Sequence, residues 1–442
     1  MKQFHSYIST LILVATTLMG SCTTDDSPSN PAATNTIAFS AHVENLHTRA
    51  EKTGCMDYLT LSGTGFGVFG YNSAKSTYTT SLSPEEEFCG TQVNYTGTEE
   101  QAKEDANTTL FAYPNHWSYG TAKEWNEDDK RSFFAYAPYV TASDISAATC
   151  GITGIAPSST AGTGDPTITY KVASSPKESV DLLWGINSET GFPWLNATAE
   201  ETGGNIHFTF FHALAAIGFH VQAIVDQDNN LTDLTDQSNV AGLLGTNCKV
   251  TLKSIQLYQD GNETGGFYTN GILNLNNATA NTPNWTTKDG TTALTLSRED
   301  IDDALVDQGD KSPSDMTNTG ITETANTQTV IAKESGKEQF FMLIPETESS
   351  KKTYTAKIEY YITYNNPNGD YTRLDYTGND AGIATISNIT LTAGIKYYLN
   401  FVIGLKTFKL NVTAEDWKGN PIELYTQIEH GTSANSSLAP RR

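Results

Sequence analysis

Three histidines, His207, His212 and His220, fall within fourteen residues and invite a metal site. Their spacing is not the H-E-x-x-H of a helical zinc site, and a strand through them scatters the rings over both faces. His212, in FFHALA, reads instead as a partly buried histidine bonded to backbone. Gly65-Phe-Gly67-Val-Phe-Gly70 satisfies G-x-G-x-x-G. A dinucleotide site needs those glycines between a strand and a helix start, so that backbone N–H groups meet the pyrophosphate. Here they lie inside a strand-like run, which predicts a bulge or a close strand approach. DQDNNLTD (226–233) begins like a calcium loop but carries Leu231 and Gln237 where glycine and a carboxylate are required. There is no G-x-S-x-G nucleophile, and no pair of carboxylates stands apart as acid and base. These residues point away from an enzyme and imply no cofactor and no metal.

Two other residues carry chemistry of a different kind, done to the chain rather than by it. Lys2 precedes an apolar run, Ile8 to Met19, too short for the roughly 20 residues that span a bilayer. It suits a secretory signal. Gly20 and Ser21 then stand directly before Cys22, a pattern similar to the bacterial lipobox, whose cysteine receives lipid; Met19 replaces the more usual leucine. The expected divisions are a signal peptide over 1–21 and a solvated tether over 22–35, with the acidic pair Asp25-Asp26 behind the cysteine. The other residue is Arg49, the only arginine between Cys22 and Arg131. It follows a strand pattern in which Ile37, Phe39, Ala41 and Val43 alternate with polar or small residues.

The elements that must position these residues are β-strands. Charged residues form 17 % of the chain, and the net charge of -23 excludes general nucleic-acid binding, which needs clustered Lys and Arg. Short alternating runs recur between Gly, Asn and Asp turns: GFGVFGY, TLFAYP, RSFFAYAPY and DLLWG in the first half. In the second half VTLKSIQLYQ, QFFMLIPE, YTAKIEYYITY, IKYYLNFVIG and FKLNVTAEDW follow. HALAAI can make one helical turn, and SREDIDDALVDQ a short surface helix. The pattern predicts an all-β chain of two sandwich domains, 36–200 and 201–417, with a tail over 418–442. Cys55, Cys89, Cys150 and Cys248 leave both free thiols and up to two bridges open.

Several runs in order resemble the fimbrillin family, the lipoprotein pilins of type V pili. They are the first strand with Thr48-Arg49-Ala50, GFGVFGY, RSFFAYAP, DLLWG, IHFTFFHALAAIGFHV, VTLKSIQLY, FFMLIPE and the closing GIKYYLNFVIG…FKLNVTAEDW. F-x-H-A-L-A and the strand ending in Trp417 are the most telling. The resemblance implies two transthyretin-like Greek-key β-sandwich domains in tandem, and export as an outer-membrane lipoprotein by the lipoprotein maturation machinery. It further implies cleavage at Arg49–Ala50 by an arginine-specific surface protease. Cleavage would release strand Ile37–Val43, and another pilin subunit's C-terminal strand would fill the vacated groove. The candidate donor is the tail, where Ile422, Leu424, Thr426 and Ile428 alternate. The implied role is a stalk or tip subunit serving adhesion to a host or bacterial surface glycan or protein. The alternative is a glycan-binding surface lipoprotein that never polymerises, with an aromatic platform from Trp117, Trp125 and Trp194.

Overall fold

The computed structural model describes residues 36–44, 55–106, 116–126, 128–157, 164–223, 248–317, 321, 328–346, 351–366, 368–404, 408–424 and 426–430. Among them the architecture is all-β, as the alternating runs predict. An eight-stranded sheet runs in the order Ala38–Val43, Asn205–His212, Leu183–Ile186, Arg131–Ala137, Phe66–Asn72, Cys89–Tyr95, Trp117–Ser118, with Trp194–Ala197 also pairing Arg131–Ala137.

This sheet is apolar on both faces, because its strands are nearly continuous in large side chains. Phe133 and Ala135 turn to one side, Phe134 and Tyr136 to the other. The first side forms a compact aromatic core with the first strand. It is closed by two short helices, Tyr58–Thr64 and Glu99–Ala106, and by Trp117, Tyr119 and Trp125. The second side packs into the larger core of the chain's second half. GFGVFGY is a strand with a bulge between Val68 and Phe69. A Cβ on Gly67 would stand 2.2 Å from the Tyr136 ring, so the glycine permits a close strand approach.

Two six-stranded sheets make the second half. One centres on Ala215–Ala223 and Ile395–Ile403, the other on Cys248–Gln259 and Lys352–Asn365. A four-stranded sheet crosses the halves: Gly151–Ala156 and Thr167–Lys171 continue into Phe267–Asn274 and Asn284–Thr292.

Three expectations are corrected. A boundary near residue 200 would send Asn205–His212 with the second half, but it pairs with Leu183–Ile186 in the first sheet. The chain therefore changes sheets at Ala213–Leu214. HALAAI is accordingly a two-residue link between strands and not a helical turn. SREDIDDALVDQ forms turns rather than a helix. Asp300 accepts from Ser297 N (2.9 Å) and Ser297 Oγ (2.8 Å), while Ile301, Leu305 and Val306 are buried. Cys55, Cys89, Cys150 and Cys248 are free thiols.

Candidate strand-exchange groove

Ala38–Val43 lies at the edge of the eight-stranded sheet, parallel to Asn205–His212, in register from Ala38↔Asn205 to Val43↔Phe210. Its alternation decides which face it buries: Ile37, Phe39 and Val43 are each 1 % exposed and Ala41 7 %. Phe39 sits edge-on to Phe88, Tyr119 and Phe133, with centroids 5.6, 5.2 and 5.5 Å away, and stacks on Phe208 at 6.1 Å. The backbone is tied at both ends. Ile37 N donates to Lys123 O (2.8 Å), Tyr119 Oη donates to Ile37 O (2.7 Å), and Glu44 N donates to Phe210 O (3.0 Å). On the outward face Ser40 Oγ contacts His207 Nδ1 at 2.8 Å and accepts from Asn205 Nδ2 at 2.9 Å. Burial, with a smaller repulsion from His42, pushes the His207 imidazole down to about 4.

Beside the strand's start, the buried Arg131 guanidinium meets Glu85 (Nε to Oε2, 3.2 Å). Lys123 bridges Glu85 at 3.0 Å and Glu87 at 2.7 Å. Beyond the strand's end, Glu44 forms an ion pair with Lys418. That pair borders a cavity of about 230 Å³ lined also by Trp184, Phe211, His212 and Trp417. Here the two most telling sequence blocks meet: the His212 ring stacks on Trp417 at 3.6 Å and 9°. His212 Nδ1 lies 2.7 Å from Asp181 Oδ2, so a buried carboxylate that the sequence did not suggest holds the ring. Asp181 also accepts from Met56 N and Leu182 N. Sequence reasoning missed Glu44, Lys418 and Asp181, because pairs so distant along the chain leave no local pattern.

The groove is thus a single apolar trough that one strand fills from an edge. Lifting Ala38–Val43 away would bare Phe208, Phe133 and Phe88 and leave Asn205–His212 with an unpaired ladder. The fold as a whole has a solved counterpart. A fimbrial protein from Bacteroides vulgatus aligns over 87 % of this chain and 99 % of its own, with a TM-score of 0.55 at 18 % identity. In sequence, fimbrium subunit Fim1C of Phocaeicola vulgatus is 26 % identical over 221 residues, 47 % of this chain and 49 % of that protein. The chain resembles the fimbrillins in sequence and in fold. The aligned segment spans about half the length of that curated relative. No family model matches the chain.

Of the residues singled out in the sequence, Cys22, Arg49 and Ala50 lie outside the described residues, as does DQDNNLTD (226–233). Among the described residues the tail forms two short strands. Pro421–Ile422 pairs with Ala414 and Glu415, and Gln427–His430 pairs with Ala384–Ser387 in a different sheet. Ile422 is exposed, while Leu424, Thr426 and Ile428 are half-buried. Trp117 and Trp125 do not form a surface platform: both are buried in the groove's core, and Trp194 Nε1 donates to His207 O at 2.8 Å. Polar neighbours in sequence misled there, because the rings turn inward against Phe66 and Phe133. Among the described residues no helix is long and apolar enough to cross a membrane.

Proposed function

We propose that the chain is a structural subunit, stalk or tip, of a cell-surface pilus serving adhesion. It is exported as a lipoprotein on Cys22 and cut at Arg49–Ala50 by an arginine-specific protease. It then polymerises by strand addition, the C-terminal tail of one subunit entering the groove of the next. The observation that carries this reading is the first strand: an edge strand, paired on one side, with four inward side chains in an aromatic trough. An interior strand could not leave without breaking two ladders, and a solvated edge strand would leave nothing to fill. Cleavage is needed because an occupied groove accepts no donor.

The test is limited trypsin digestion of the mature protein. The expected result is an early cut after Arg49, followed by multimers that survive on an unheated gel. Arg49→Ala should remain uncut there and monomeric. A wild-type protein that is cut after Arg49, loses the first strand and stays monomeric would end this reading.

A further inference from the structure

The strand that leaves and the tail proposed to replace it share a pattern eight residues long. Residues 37–44 read IAFSAHVE and residues 422–429 read IELYTQIE. Inward positions match in order: Ile37 with Ile422, Phe39 with Leu424, Ala41 with Thr426, Val43 with Ile428. The smallest side chain falls third in both sets. Directly after the last inward residue each carries a glutamate, Glu44 or Glu429. In the structure Glu44 is held by Lys418, at the mouth of the cavity beside Trp417.

We infer that the tail of one copy enters the next copy's groove in the direction and register of the departed strand, and that its Glu429 takes the place of Glu44 on Lys418. This deepens the strand-addition reading and rests on it. The alternatives fit worse on physical grounds. A slip of one residue turns every apolar side chain outward. A slip of two brings Leu424 or Ile428 to the space that Ala41 fills, where Ala41 is 7 % exposed within the core. The reversed direction would carry Glu429 to the strand's start. There Lys123 is already shared by Glu85 and Glu87 and would meet a third carboxylate. The register offered by Asn205–His212 runs from Asn205 to Phe210, six residues in parallel, which the tail can cover. Release of the tail from its own copy breaks the short ladders at Ala414–Glu415 and Ala384–Ser387 and the bond from Leu410 N to His430 Nε2, and uncovers the half-buried Leu424 and Ile428.

The experiment compares assembly after trypsin cutting for wild type, Lys418→Glu, Glu429→Lys and the double reversal. Each single reversal should slow polymer growth about fivefold at low salt, since it sets like charges together, and the double should recover the wild-type rate. Polymers grown from mixed heavy-isotope and unlabelled subunits are then treated with a zero-length carbodiimide. The expected product is an amide between Lys418 and Glu429 of different subunits, seen as a mixed-isotope peptide pair. Circular dichroism confirms that each uncut variant is folded, and Glu429→Lys alters no contact of the uncut groove. If wild type assembles while both reversals are neutral and no such cross-link forms, the register is overturned and strand addition stands. If the cut wild type never assembles, both fall together.

Discussion

The two halves of the molecule open with comparable strands that end in different positions. Ala38–Val43 and Ala215–Ala223 both carry a buried apolar face, and each runs parallel to a strand late in its half, Asn205–His212 and Ile395–Ile403. The second strand is interior. Phe341–Leu343 and Thr329–Val330 pair along its other side, so it is hydrogen-bonded from both directions. The first has its ladder on one side and is held elsewhere by its ends: Ile37 on Lys123, Glu44 on Lys418. Equal burial with unequal pairing is the difference on which the proposed exchange of the first strand rests. Exchange asks for a large apolar reward with few hydrogen bonds to break.

The largest test removes the first strand's contribution outright. Protein lacking residues 36–44 loses Ile37, Phe39 and Val43 from the core, at ~2 kcal/mol each. That sum approaches the whole stability of an ordinary domain. Such protein should aggregate in its first half on expression, and a synthetic peptide of residues 422–429 should restore soluble material. The finer version uses point changes. Phe39→Ala should lower the stability of uncut protein by about 3–5 kcal/mol in urea unfolding. In the assembled polymer it should have no effect, because the strand is gone. Phe219→Ala, in the interior strand, should cost about as much in both states. An equal effect of Phe39→Ala in uncut and assembled protein would erase the distinction.

Much of this was legible from residues 37–43, because period-2 alternation reports which side chains turn inward. The same reasoning placed GFGVFGY and the long strands of the second half. It failed wherever membership of a sheet was at issue. Ile206, Phe208 and Phe210 announce a strand, yet nothing local says that it pairs with Leu183–Ile186 and with Ala38–Val43. The sheet that joins Thr167–Lys171 to Phe267–Asn274 is invisible for the same reason. At the groove's end the sequence flagged both FFHALA and the strand ending in Trp417. That they are one contact, with Asp181 behind His212, depends on packing across the whole chain.

A pH experiment probes the outward face of the first strand. His207 is held near 4 in the folded state, against about 6.5 unfolded. The unfolded chain therefore binds the proton more readily over that interval. Stability is fully present above about pH 6.5 and declines as the pH falls toward 4, by roughly 2–3 kcal/mol. His207→Gln should flatten that part of the profile, and the His207 ring signals should titrate near 4 in uncut protein. A His207 titration near 6.5 in the uncut protein would mean that the first strand does not shield this ring.

The smallest effect belongs to the Glu44–Lys418 pair, whose side chains are 32 % and 41 % exposed. A pair so open to water contributes about 0.5 kcal/mol. Lys418→Ala should therefore leave urea stability almost unchanged. Its consequence is local, because the pair anchors the chain five residues before Arg49. Loosening that anchor by about 0.5 kcal/mol raises the population of open forms about twofold. The rate of trypsin cutting after Arg49 should rise by the same factor, and high salt should give wild type the same increase by screening the pair. The interior strand supplies the control, since Phe341–Leu343 and Ile395–Ile403 hold it by backbone ladders that salt does not screen. Salt should thus accelerate cutting at the first strand while leaving the unfolding of the second half where it was.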